Sequence, residues 1–271
     1  MVASLSGFMR RLVLASCTVL AFTFSASAQD LTQYLDLTTD EFTKAEMTRA
    51  DIEKGIAALA PGAMLDLTGK RLNTLDLSGM DLTRTNLRAA RFCNANFKGA
   101  NLSAVNLDGA WALKSDFTDA KFIGTSMFQT QMMDAKLNGA DFSNAMVGAD
   151  LSRASLIKAN FTDAMLAPDL TNQSMGLMRG VLKGAKLDGA SFKGANLMRS
   201  AFEYASLRDV DFEGANLEGS EMTGADLTGA NVKGAKFAKA DLHSTKLLKL
   251  RGLDSVIGLD AALNLDKATR D

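Results

Sequence analysis

Few residues in this chain of 271 amino acids could perform chemistry. It holds a single histidine, His243, and two cysteines, Cys17 and Cys93. One histidine without a cysteine cluster cannot form a typical zinc site. His243 directly follows an apolar residue that we expect to face inward, so we interpret it as a solvated surface side chain. We therefore predict no catalytic residue, no metal site and no cofactor, and a protein that is not an enzyme.

The spacing of the glycines invites comparison with a phosphate-binding loop. The stretch GANVKGAK at 229–236 contains the two glycines of the motif G-x-x-x-x-G-K-[ST], but Ala235 stands where the motif requires lysine. A chain that repeats glycine at every fifth position generates this spacing automatically. We predict no nucleotide binding here.

A repeat of five residues sets the positions of all these side chains. Between 214 and 237 a small residue recurs at every fifth position, and an apolar residue, called the centre below, follows two positions later. The small residues are Ala215, Ser220, Ala225, Ala230 and Ala235, and the centres are Leu217, Met222, Leu227, Val232 and Phe237. Neither an α-helix nor a flat β-strand keeps this period on one face. A chain that turns a corner after every repeat does, and four repeats then close a square coil of about 20 residues, as in a solenoid.

The repeats extend over most of the chain. We predict coils at 65–166 and 177–249, separated by an irregular loop at 167–176, where APDLTNQSMG breaks the pattern. Within the first block the register slips by one residue after Val147. Asp and Asn stand one position before most centres, and we interpret them as polar groups that stabilise the turns rather than as paired catalytic carboxylates.

The pattern A-(D/N)-L-x-G, present as ANFKG, ANLSA, ADLTG and ANLEG, resembles the pentapeptide-repeat family. The resemblance covers roughly residues 65–249. It implies an all-β solenoid, a right-handed quadrilateral β-helix in which the central Leu or Phe and the preceding Ala face inward. With the number of repeats present, we expect about nine coils. The best-understood members of this family protect DNA gyrase and topoisomerase IV by imitating the charge of duplex DNA.

The charge of this chain does not suit DNA mimicry, which needs a continuous negative surface. Lys and Arg number 30 against 31 Asp and Glu. Lysines also stand at outward positions among the acids, namely Lys121, Lys136, Lys186, Lys236 and Lys246. Basic stripes that would bind nucleic acid are equally absent. We favour a non-enzymatic structural or protein-interaction scaffold with an unknown protein partner, and keep a topoisomerase inhibitor or protector as the alternative.

The first 28 residues read as a secretory signal peptide of a bacterial protein. Arg10 and Arg11 precede an apolar run at 12–24, and Ala-Ser-Ala at 26–28 predicts cleavage after Ala28. The sequence LASC, ending at Cys17, offers lipoprotein anchoring as a weaker alternative, and the paired arginines offer export in folded form. We predict a periplasmic or secreted protein without membrane attachment after signal removal.

Both ends of the solenoid are predicted to be capped, because bare strand edges invite end-to-end pairing. In the N-terminal segment, 29–64, we expect a helix near 40–59, with a capping box at Thr38 and Glu41. The segment 250–271 is rich in apolar residues and predicts a short helical C-terminal cap. That segment either caps the rod alone or also joins two copies of the chain into a homodimer.

Most outward positions carry polar residues, and the exceptions form a candidate partner surface. The exceptions are Trp111, Leu113, Phe128 and Met133. Such a patch suits a partner site, because aromatic residues and methionine are enriched in interface cores. The alternative is that the loop at 167–176 or a terminal helix covers it. Cys93 stands 20 residues before Leu113, which places it one coil away in the same column as Leu113 and Met133. We predict that it is an outward free thiol, because no second cysteine remains for an internal disulfide once Cys17 is removed.

Overall fold

The computed structural model of the protein describes residues 35–168 and 178–271. The predicted signal peptide and most of the predicted loop at 167–176 lie outside these described residues. The chain divides into two compact units, Met1–Asp36 and Leu37–Asp271. The second unit contains all the repeats.

Stacked coils with four walls make up the repeat region. Each coil pairs in parallel with the next, and most pairs join residues 20 positions apart, as in Asp76 with Asn96. Each side of a coil is too short for a long strand, so the walls are ladders of short bridges. Only at the ends do they lengthen into strands, β1 (Leu65–Asp66) paired with β2 (Thr85–Asn86) and β3 (Lys246–Leu247) paired with β4 (Thr269–Arg270). We number the walls by their first ladder residue: wall 1 from Asp66, wall 2 from Arg71, wall 3 from Asp76 and wall 4 from Asp81.

The interior holds the residues that the repeat predicts. Leu217 and Phe237 are 0% and 1% exposed, and the small residue Ala215 is fully buried beside them. Phenylalanine centres on wall 4 form a continuous column of stacked rings, with centroid separations of 4.5 to 5.5 Å. The column consists of Phe122, Phe142, Phe161, Phe192 and Phe212. The predicted inward face of the repeat is therefore confirmed.

The turns between sides depend on the Asp or Asn that precedes each centre. Its side-chain oxygen accepts a hydrogen bond from the backbone N–H two residues later, for example from Ser78 to Asp76 at 3.0 Å. The same oxygen of Asp76 accepts a hydrogen bond from Asn96 of the next coil at 3.0 Å. These side chains are satisfied within and between turns, which confirms their interpretation as turn-stabilising groups.

The two irregularities of the repeat lie at the same corner, between wall 1 and wall 2. After Val147 the corner is one residue shorter, so Gln131 pairs with Asp150 only 19 positions away. In the next coil Asp150 pairs with Val181, 31 positions away, so the sequence between Met165 on wall 1 and Val181 on wall 2 contains an insertion. Coil stacking continues on both sides of the insertion.

The segment predicted as a single helix near 40–59 is helical only in part. Two helices form instead, α1 (Asp40–Thr43) and α2 (Arg49–Ala57), separated by an extended segment in which Ala45 pairs with Leu72 of the first coil. The capping box belongs to Thr48 and Asp51 and begins α2, whereas the prediction placed it at Thr38 and Glu41.

The cause of this break is that the two helices bury side chains in different places. Phe42 of α1 packs on the outside of wall 2, whereas Ile52 of α2 joins the interior core. One straight helix could not reach both surfaces. Within 35–168 and 178–271, no helix is long and apolar enough to cross a membrane.

The predicted helical C-terminal cap is also wrong, since 250–271 contains no α-helix. It forms a further, irregular coil whose sides are six residues long: Arg251, Ile257, Leu263 and Thr269 continue the four ladders. Two short 3-10 helices, Leu253–Ser255 and Leu265–Lys267, lie in this coil.

The high apolar content of this segment, on which the prediction rested, is compatible with a coil as well as a helix. Residues that pack on the core recur at every third position, which resembles a helical stripe. They are Val256, Leu259, Ala262, Leu265 and Ala268. The outward residues Ile257 and Leu263 are both 53% exposed. Self-association through this segment stays a prediction.

Leu227→Ala is expected to lower the free energy of unfolding by about 2–5 kcal/mol, because it leaves a cavity in place of a fully buried side chain. Ala225→Leu is expected to cost about 1–3 kcal/mol by overpacking the same coil. Urea denaturation followed by circular dichroism measures both effects. Leu253→Ala, at an exposed leucine, is the matched control. Midpoints equal to wild type in all three variants would contradict the inward placement of these side chains.

Candidate functional site

Several outward charges of the later coils form ion pairs between neighbouring coils. On wall 4, Glu213 lies between Lys193 and Lys233, with nitrogen–oxygen distances of 3.1 and 3.3 Å. Hydrogen bonds from these two lysines lower the pKa of Glu213. Charge therefore alternates in sign along this part of wall 4, which presents no unbroken negative face.

Asp226 on wall 3 is the most strongly stabilised of these carboxylates. Its side chain lies 3.0 Å from Arg208 and 3.4 Å from Lys246. Partial burial alone would raise the pKa of Asp226, but hydrogen bonds from Thr228 and Arg208 and the charge of Lys246 outweigh burial and lower it to about 2. The carboxylate is ionised at neutral pH and serves to join three coils.

Three of the four predicted surface residues, Trp111, Leu113 and Met133, lie together on wall 2 and are covered. Phe42 of α1 packs against them in a separate cluster, here called the N-terminal cluster, which also includes Leu37 and Cys93. The Phe42 and Trp111 rings meet edge to face, with centroids 5.5 Å apart. For these residues the structure supports the second alternative, coverage by a terminal helix.

A buried asparagine, which was not singled out from the sequence, holds this segment on wall 2. The Asn73 amide donates hydrogen bonds to the carbonyls of Glu41 at 2.9 Å and Lys44 at 3.1 Å. Its carbonyl oxygen accepts a hydrogen bond from the Cys93 N–H at 2.9 Å. The available signal was its place in the same column as Cys93 and Leu113, directly after a centre on wall 2.

Cys93 is a free thiol, as the sequence predicted, but it is buried instead of exposed. It points away from the coil interior, but the N-terminal cluster covers it and leaves it 2% exposed. Burial raises the pKa of the thiol to about 11. Because the thiolate is the reactive form, this cysteine is poorly suited to exchange or oxidation chemistry.

The fourth predicted residue, Phe128, lies on a different wall and lines a groove. The groove runs along wall 1, has a volume of about 410 Å³ and is lined by apolar side chains. Its lining residues are Phe128, Met146, Gly148, Met165, Ala167, Pro168 and Met198, and we call it the methionine groove. The four predicted residues therefore do not form one surface.

The two irregularities of the repeat shape the methionine groove. The ring of Phe128 lies over Gly148, where an added Cβ would come within 3.0 Å of its Cδ1 atom. Gly148 belongs to the shortened corner, and Ala167 and Pro168 lead into the insertion. A side chain at position 148 would push the ring out of place, so the glycine is needed for close packing.

Two methionines occupy ladder positions of wall 1 that are polar in most other coils. Met146 and Met165 are 43% and 46% exposed. The neighbouring positions of the same ladder are polar, namely Asp66, Asn86, Asn106, Ser126, Asn196, Asn216 and Lys236. This pair was not predicted from the sequence, although methionine at a position usually held by Asp or Asn was a usable signal.

The described titratable residues include no cluster with the composition of a metal site. Among the described residues, no group of three or more His, Cys, Asp or Glu side chains is placed to hold a metal ion. His243 is exposed, and its Nδ1 atom lies 3.1 Å from the hydroxyl of Ser244. The methionine groove itself is lined without any ionisable side chain.

The model of the family "Pentapeptide repeats" matches this chain in eight copies, and the matches together cover more than half of it. They lie at 72–109, 115–147, 146–167, 181–214 and 205–243. This chain belongs to the pentapeptide-repeat family. Membership agrees with the stacked coils and their inward-facing centres. No curated protein sequence matches the chain.

Solved structures of the family resemble this pentapeptide-repeat protein to different degrees. HetL from the cyanobacterium Nostoc sp. strain PCC 7120, involved in heterocyst differentiation regulation, is 26% identical over 82% of this chain and 94% of its own, with a TM-score of 0.44. QnrB1, a plasmid-mediated fluoroquinolone resistance protein, is 16% identical over 77% of this chain and 92% of its own, with a TM-score of 0.52. A protein of the Arabidopsis thaliana thylakoid lumen is 30% identical over 40% of this chain and 68% of its own, with a TM-score of 0.20. The likeness to QnrB1 concerns the fold alone.

Phe42→Ala is expected to expose Cys93 and raise its rate of reaction with a disulfide reagent such as DTNB by about tenfold or more, because the ring that covers it is lost. The measurement uses a Cys17→Ser background, so that Cys93 is the only thiol. Phe237→Ala removes a phenyl ring from the distant interior and controls for general destabilisation. Equal rates in wild type and Phe42→Ala would mean that the N-terminal cluster does not protect the thiol.

Proposed function

We propose that this pentapeptide-repeat protein is a non-enzymatic scaffold that binds a partner protein through the methionine groove. The observation that carries the proposal is the outward placement of Met146 and Met165 in a wall of polar residues. The interior core is complete without them, because Val147 and Leu166 already fill the inward positions of the same sides. Their side chains are not needed to fill the core, which supports a role in binding.

The composition of the groove suits recognition of a polypeptide. Methionine side chains are flexible and polarisable, so they adapt to apolar residues of different shapes. Aromatic residues and methionine are also enriched in the cores of protein interfaces. The groove lies on stacked coils that every backbone ladder holds in place, so little conformational entropy is lost when a partner binds.

The other two functions considered have less support. Topoisomerase protection by charge mimicry would need a continuous negative surface, whereas Glu213 and Asp226 each lie between two cations. Catalysis would need convergent ionisable groups in a cleft, and the lining of the methionine groove contains none. Both points favour a scaffold.

We also propose that the protein is exported to the periplasm, on the sequence of residues 1–28. Intact-mass and N-terminal analysis of the periplasmic fraction of a Gram-negative bacterium tests this. The expected N-terminus is Gln29. A lipid-modified N-terminus at Cys17 would mean membrane anchoring, and an uncleaved chain confined to the cytoplasm would overturn export.

The double variant Met146→Asn/Met165→Asn is expected to fold as wild type, within about 0.5 kcal/mol, because asparagine is the usual residue of this ladder. It is expected to retain about tenfold less of the specific partner, because the apolar anchors of the interface are gone. The measurement compares proteins captured from the native host by immobilised wild type and variant.

The matched control is Ile157→Asn, which removes a similarly exposed apolar side chain from wall 3. A partner that wild type and Ile157→Asn retain and the double variant loses supports the proposal. Identical capture by all three proteins would overturn it.

A further inference from the structure

We propose that the methionine groove binds a short extended segment of a partner polypeptide that carries apolar residues in its centre and a basic residue at each end. This inference rests on the proposed function and specifies the chemistry of the partner. It follows from the charges at the two ends of the groove.

One carboxylate marks each end of the groove in the column of residues that follow the centres of wall 1. The Gly109 N–H donates a hydrogen bond to the Phe128 carbonyl, which places Asp108 one coil before Phe128. The Arg199 N–H donates a hydrogen bond to the Glu218 carbonyl, which places Glu218 one coil after Met198. The column thus reads acid, apolar groove, acid.

These two carboxylates differ from Glu213 and Asp226, whose charges are compensated. In the described parts of the chain, neither Asp108 nor Glu218 forms an ion pair with a lysine or arginine. Among the described residues, Arg88 and Lys236 are the wall 1 neighbours of Asp108 and Glu218 on the sides away from the groove, one coil spacing from each carboxylate, but neither cation forms an ion pair with it. Arg199 follows Met198, but it lies at the corner, with its Cγ atom against Gly219.

The distance between the two ends sets the length of the occupant. From Asp108 to Glu218 the column crosses five coil spacings, or about 24 Å at the usual separation of neighbouring strands. An extended peptide rises about 3.3 Å per residue and its side chains alternate between two faces, so two basic residues that both face the wall should stand about six or eight positions apart. The side chains between them that face the wall would enter the apolar part.

Charge also discriminates against the other possible occupants. The headgroup of an anionic lipid would meet a like charge at either end. A second copy of this chain, placed face to face by a two-fold axis, would bring Asp108 opposite Glu218 and repel itself. A segment with a cation at each end satisfies both carboxylates.

Peptide selection tests the chemistry of the occupant. Random dodecapeptides displayed on phage are selected on immobilised full-length wild-type protein and counter-selected on Met146→Asn/Met165→Asn, so that only sequences that need the groove are enriched. The expected consensus has an apolar centre and a Lys or Arg at each end. A synthetic peptide with that consensus is then measured by fluorescence polarisation.

The variant for this measurement is Asp108→Asn/Glu218→Gln, which removes both charges without changing shape. The Asp108 Oδ1 atom accepts hydrogen bonds from the Ser126 hydroxyl at 2.7 Å and the Phe128 N–H at 3.0 Å. Asparagine can keep both bonds, as Asn138 on wall 3 does with Ser155 and Ile157. The double variant is therefore expected to fold normally.

The matched control is Asp188→Asn on wall 3. Asp188 accepts hydrogen bonds from the Ser206 hydroxyl and the Arg208 N–H, in the same arrangement as Asp108, but far from the groove. We expect Asp108→Asn/Glu218→Gln to bind the peptide roughly threefold to tenfold more weakly than wild type does. Added salt should weaken binding to wild type more than binding to the variant. Asp188→Asn should bind like wild type.

Several outcomes would overturn the inference. A groove-dependent consensus without basic residues would overturn the inference and leave the proposed function in place. An unchanged affinity of Asp108→Asn/Glu218→Gln for the peptide would have the same meaning. Failure to enrich any groove-dependent peptide, together with unchanged partner capture by Met146→Asn/Met165→Asn, would remove both. Sedimentation of the protein alone tests self-association, and sedimentation with vesicles of phosphatidylglycerol tests lipid binding. If either one requires Met146 and Met165, a second copy or a lipid would replace the peptide as the occupant of the groove.

Discussion

The whole structure depends on a narrow interior into which each side of a coil directs one large and one small side chain. The backbone ladders fix the separation of successive coils, so interior side chains must stack at the same interval. The ring column from Phe122 to Phe212 shows this directly, with centroid separations of 4.5 to 5.5 Å close to the spacing of neighbouring strands. Hydrogen bonding and core packing thus impose the same repeat.

Because the interior is filled by the repeat itself, outward apolar residues play no part in it and need a separate explanation. Wall 2 provides one case, where Leu113 and Met133 receive Phe42 from the N-terminal segment. Wall 1 provides the other, where Met146 and Met165 stay exposed in the described structure. The first case serves to seal and anchor the beginning of the chain. The second leaves an apolar surface on a rigid support.

The features that the five-residue period controls are predictable from sequence. Leu227 and Ala225, the slip after Val147 and the break near Pro168 follow from counting residues, because the repeat tolerates only one inward arrangement. The candidate site was only partly predictable. Leu113 and Phe128 are equally apolar exceptions in the sequence, and only the path of a segment distant along the chain determines that one is covered and the other lines a groove.

The ends of the solenoid were mispredicted for a related reason. Outside the repeats, apolar spacing is compatible with more than one backbone, and tertiary contacts decide between them. Phe42 and Ile52 suggested one helix but pack against different surfaces. The apolar content of 250–271 suggested another helix, although its core residues from Val256 to Ala268 recur at half the length of a six-residue side.

The last coil, with its six-residue sides, has a consequence for changes in the length of the chain. Its residues Arg251, Ile257, Leu263 and Thr269 still pair with the five-residue coil before them, so the extra residue in each side does not interrupt any of the four ladders. The corner shortened by one residue after Val147 shows the same tolerance in the opposite direction. A solenoid of this kind therefore absorbs insertions and deletions at its corners while its walls stay in register.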